Sequence, residues 1–114
     1  MSFNIIVVIK QDPFASHRAA EGLRIALGLS TGNSQLTIIL LGKARTLLTD
    51  DFVDAIDADI LEKHLPVIQD LEIPIMVPEG TSQSFSLDPG FSVIELSPSS
   101  LKAKISDSNR VLIF

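Results

Sequence analysis

Chemically useful side chains are densest in the loop after the first apolar run, Lys10-Gln-Asp-Pro-Phe-Ala-Ser16, and in His17 and Arg18, which follow it. Ser16 is a good N-cap, so a helix should start there. The free backbone N–H groups and the dipole of that helix would then point at the loop, as at many anion sites. Ser16 could hydrogen-bond an anion, while Lys10, His17 and Arg18 supply positive charge. A purely structural alternative stands beside this: Ser16 caps the helix, Asp12-Pro13 forms a turn, and Arg18 pairs with Glu21. Asp12 has the chemistry of a general base, but the sequence places no histidine or second carboxylate to work with it. The loop lacks the glycines of a phosphate-binding motif, which argues against a nucleotide.

Other reactive groups are more scattered. Thr81, Ser82, Ser84 and Ser86 lie in the one long loop-like region, Glu79–Gly90, but no His–Asp pair or Gly-x-Ser-x-Gly elbow activates them. That region reads as a loop closing over a partner or pocket, or as a plain connection. Asp50, Asp51, Asp54, Asp57 and Asp59 lack the spacing and glycine of a calcium loop and read as a solvated acidic face. His64 reads as a surface or interface histidine. The chain has no cysteine, which removes disulfides, cysteine-ligated zinc, iron–sulfur clusters and thiol catalysis together. With only two histidines, far apart, no dedicated metal site is expected, and neither a cofactor nor a catalytic constellation is legible.

These groups must be held by an α/β framework. Residues 3–9 are apolar on alternate and intervening positions alike, as a central parallel strand covered on both faces requires. A helix follows to about Ser30, then the turn Thr31-Gly32-Asn33-Ser34 and a second buried strand over 36–41, closed by Gly42. A helical turn or two over 44–48 and the acidic stretch lead to a helix over 60–71 that Pro66 should kink or restart. Further strands are expected over 73–77, 92–96 and 110–114, with a short helix over 99–106. The alternation predicts one domain, a three-layer α/β/α sandwich with about five mostly parallel strands.

The chain has 114 residues, 46% of them hydrophobic, and its 9 basic and 14 acidic side chains leave a net charge of −5. That size fits a single domain. Without a basic stripe, and with neither Tyr nor Trp, nucleic acid is not an expected partner. No apolar stretch approaches a membrane span and no signal peptide is legible, so the expectation is a cytoplasmic protein with no membrane partner. On the first helix, Ala19, Ala20, Leu23, Ala26 and Leu27 make one apolar face. Ile25 and Leu29, with Gly22, make a second flank, beyond the single face a surface helix needs. The flank is expected to meet a partner subunit, the alternative being extra core.

Asp12-Pro13-Phe14, Ser16, Arg18-Ala19 and Glu21-Gly22-Leu23-Arg24-Ile-Ala-Leu resemble the DsrE/DsrF-like family, sulfur-relay proteins that include the TusBCD subunits. The strand ending Leu40-Leu41-Gly42 is similar too, as are Leu101, Asp107 and the closing strand Val111–Phe114. The resemblance implies an α/β/α subunit that assembles into trimers or hexamers and meets sulfur-relay partner proteins. It also implies a functional loop after the third strand, where some members carry persulfide sulfur on a cysteine. Here that loop is Val77-Pro78-Glu79-Gly80. Because persulfide formation needs a thiolate, the chain is expected to be a cysteine-less, non-catalytic subunit. Lys10, Asp12, Ser16, His17, Arg18, Glu79, Gly80 and Ser82 are then the ligand- or partner-facing candidates, with Ile25 and Leu29 at the oligomer interface. The rival expectation is a small-ligand or anion-binding α/β module using the Lys10–His17 loop.

Overall fold

The computed structural model describes residues 3–32, 34–50 and 54–114; Asn33 of the first turn and Asp51 of the acidic stretch, with Phe52 and Val53, lie outside them. Five strands, β1 (Asn4–Ile9), β2 (Gln35–Leu40), β3 (Ile75–Pro78), β4 (Val93–Leu96) and β5 (Arg110–Ile113), form one parallel sheet in the order β4-β3-β2-β1-β5. Its helices are α1 (Arg18–Ser30), α2 (Ala58–Asp70), α3 (Thr81–Ser84) and α4 (Pro98–Asp107), with a 3₁₀ helix over Gly42–Leu48.

The continuous apolar run of β1 explains its place. Flanked by β2 and β5, it sends Ile5, Val7 and Ile9 to one face and Ile6 and Val8 to the other. Burying each such side chain is worth about 1.5–3 kcal/mol. On the first face, Ala19, Leu23 and Ala26 of α1, Leu61, Leu65 and Ile68 of α2, and Ala44, Leu47 and Leu48 of the 3₁₀ helix complete a large core. On the second face a smaller cluster closes under Leu101 of α4. The three layers are therefore unequal.

Two local expectations need correction. The N-cap position of α1 is His17, whose side chain caps nothing. Ser16 instead accepts a hydrogen bond from the Arg18 N–H at 3.1 Å, a serine turn one residue ahead of the helix. In addition, α2 runs through Pro66 as one helix. Pro66 is exposed, so the Glu62 carbonyl that loses its donor lies on the solvent side, where water can satisfy it. The second apolar flank of α1 lies toward β5: a Cβ on Gly22 would meet Ile9 and Phe114, and Leu29 packs partly against the main core. Ile25 stays half-buried.

Candidate functional site

Because all strands run in parallel, the loops after β1, β2 and β3 meet on one rim of the sheet, the carboxyl edge where α/β domains place their ligands. In the loop after β1, Asp12 Oδ1 accepts from the Phe14 N–H at 2.9 Å and its carbonyl from the Ala15 N–H at 3.0 Å. This is the turn that Asp-Pro dictates. Its other carboxylate oxygen lies 3.8 Å from Lys43 Nζ. Arg18 does not turn to Glu21. Its guanidinium donates to the Ile113 carbonyl at 3.2 Å and lies 5.6 Å from the ring centre of Phe114, fastening α1 to the edge strand. Lys10 is exposed, and its N–H donates to the Phe114 carbonyl.

His17 has a partner that sequence reading missed. Its Nδ1 lies 2.6 Å from Asp57 Oδ2, with the imidazole 69% exposed. Strands β1 and β2 are parallel neighbours, so α1 and α2, which follow them, both begin on the carboxyl rim. Their N-cap residues, His17 and Asp57, are thereby brought together across 40 positions of sequence. A carboxylate at Nδ1 fixes the imidazole and leaves Nε2 outward, the orientation used by catalytic histidines. Among the described residues, however, no nucleophile is bonded to Nε2. The rim thus orients a histidine without arming it.

The loop after β3 is stitched to the body of the domain. Gly80, at φ 86°, makes the left-handed turn into α3 that a Cβ would disfavour. The hydroxyl of the fully buried Thr81 donates to the Pro78 carbonyl at 2.6 Å and accepts from Arg45 Nη1 at 3.0 Å. Arg45 also stacks over Phe85 at 4.6 Å. The Glu79 N–H pairs with the Leu96 carbonyl. The 3₁₀ helix consequently serves both halves of the rim, sending Lys43 to the β1 loop and Arg45 to the β3 loop. Further along, the Asp88 N–H donates to the Leu48 carbonyl and its carboxylate accepts from Gln69. The segment behaves as an anchored connection.

Ser82 meets Glu95 of β4: its hydroxyl donates at 2.9 Å and its N–H at 3.3 Å. The hydroxyl bond, then the Ser82 backbone N–H, hold the Glu95 carboxyl below its ordinary range; the Gly80 and Thr81 N–H groups assist, and desolvation opposes them. A depressed folded-state pKa means this contact contributes fully above the unfolded glutamate value of about 4.3 and is lost as pH falls through the folded one. In a carboxyl-carbon NMR titration, Glu95 should have a midpoint below that value. Ser82→Ala should move it back up. A native midpoint at or above the ordinary value would contradict the contact.

Five parallel strands in this order, with a helix pair on one face and a single helix on the other, define an α/β/α fold. The chain is similar in fold to the crystal structure of the ychN protein from E. coli, with a TM-score of 0.77 and 20% sequence identity over 100% of both chains. No protein-family model matches the sequence, and no curated protein matches it. Among the described residues no helix is long and apolar enough to cross a membrane, and no group of three His, Asp or Glu could hold a metal ion.

Proposed function

We propose that this chain is a DsrE/DsrF-like protein of the intracellular sulfur-relay type, a subunit without catalysis of its own that acts through protein contacts. One observation carries the reading: the loop after β3, where a persulfide cysteine stands in some members of the family, is Val77-Pro78-Glu79-Gly80, and the chain holds no thiol. Sulfur carriage requires a thiolate to attack and retain sulfane sulfur, and a serine hydroxyl has no such chemistry. The neighbouring hydroxyls of Thr81 and Ser82 are also committed to Pro78, Arg45 and Glu95. The rim, with Lys10, Asp12, His17 and Arg18 beside Glu79, Gly80 and Ser82, then presents a fixed surface to a relay partner in the cytoplasm.

The subunit works as a homo-oligomer, a trimer or hexamer, with the outer flank of α1 as a contact. Ile25 is half-buried there, and Leu29 packs in part against its own core. Replacing both with Glu puts unpaired charges into an apolar contact, at a cost of about 3–5 kcal/mol. Light scattering should then report a smaller species that circular dichroism still finds folded. Ile25→Glu alone, which spares the core, should act in the same direction. A native chain that is monomeric across micromolar concentrations would overturn the assembly reading.

A further inference from the structure

Two apolar surfaces are left open on opposite faces of the domain. Ile60, His64 and Val67 of α2 and its C-cap residue Leu71 follow one another at intervals of four, three and four residues, so they lie along one line of the helix. Ile60, Val67 and Leu71 are 40%, 42% and 53% exposed, and His64 is half-buried. The exposed side chains around this line are mainly acidic: Asp59, Asp70 and Glu72, against Lys63. On the other face, α4 alone covers five strands. Between it and the strand ends runs an open groove of about 550 Å³, walled by Ile39, Leu41, Pro78, Leu101 and Ile105. Lys102 is its one charged lining residue.

We infer that this groove receives the α2 stripe of a second copy of the chain. The inference rests on the assembly reading above and gives that assembly its surfaces. Charge selects the pairing. Two α2 stripes set antiparallel would bring Asp59 of one copy against Asp70 and Glu72 of the other. Two α4 grooves would bring Lys102 toward Lys102. Only α2 against α4 places carboxylates beside Lys102, with an apolar line facing an apolar wall, and complementary charge of this kind fixes both partner and register. Symmetry points the same way. A threefold ring cannot be built from one self-complementary patch; it needs two different patches that fit each other, and the stripe and the groove are such a pair. The α1 flank is a separate surface, available to join one ring to another.

Sedimentation equilibrium on the full chain tests this. Val67→Glu and Lys102→Glu alter exposed side chains, and each should weaken self-association by about tenfold or more. Combining Lys102→Glu with Asp59→Lys or Asp70→Lys should recover most of the loss with one of the two. An oligomer unaffected by both single changes overturns this pairing and leaves the assembly reading standing. A native monomer overturns both. Dissociation by Val67→Glu with Lys102→Glu silent overturns it in favour of an α2-to-α2 contact, and failure of both charge swaps to restore association overturns it as well.

Discussion

Ile38→Ala should lower the free energy of unfolding by about 2–5 kcal/mol, the range for removing a buried Ile or Leu side chain to leave a cavity. Ile38 is fully buried in the middle of β2, paired in register with Val7 on one side and Ile75 on the other. It also belongs to the large core beneath α1 and α2. Neighbours on both strands are fixed by the ladder, so the site has little freedom to collapse. A domain of this kind has only about 5–15 kcal/mol in all. Urea denaturation should therefore show a large fall in midpoint with an unchanged slope. Ile94→Ala on the edge strand, where Ile94 is 45% exposed, serves as the comparison and should cost far less. Equal losses at the two positions would mean that the unequal layering is wrong.

The second large effect concerns the seat of α1. Gly22 faces the sheet, and a Cβ built there would lie 2.9 Å from Ile9 Cγ1 and 3.3 Å from the Phe114 Cβ. Ile9 is fully buried and cannot swing clear. Gly22→Val should consequently destabilise by about 1–3 kcal/mol through overpacking. Gly28 lies six residues on in the same helix and is exposed, with nothing within 4 Å of its Cβ position. Gly28→Ala should therefore stabilise by up to about 1 kcal/mol from helix propensity alone. Opposite signs in thermal melts are the expected outcome. Stabilisation by both changes would show that α1 does not sit against Ile9 and Phe114.

The elements whose pattern is local were legible to within a residue or two. The unbroken apolar run of β1 marked a doubly covered strand, and Gly42 marked the end of β2, while the helix expected over 99–106 starts one residue earlier, at Pro98 behind its Ser97 cap. What the sequence left dark is long-range. Strand order has no local signature, and it decides that β5 lies beside β1, where Arg18 and Phe114 meet. His17 and Asp57 each looked like isolated charges because their pairing exists only once two parallel strands deliver two helix starts to one edge. Glu95 reaches Ser82 for the same reason, β4 lying beside β3. Pro66 misled because its cost depends on which side of the helix faces water, and a proline alone does not reveal that. The candidate residues come together on one rim, but their bonds to Asp57, Ile113, Lys43 and Glu95 belong to the tertiary structure.

The central claim, a subunit that assembles and carries no sulfur, is tested most directly by native mass spectrometry of the full chain after incubation with a persulfide donor. That one spectrum reads the number of copies and the mass of each. The account predicts a trimer or hexamer whose every chain keeps its unmodified mass. Isolated single chains at micromolar concentration, or chains that have stably gained a sulfur atom, would contradict it.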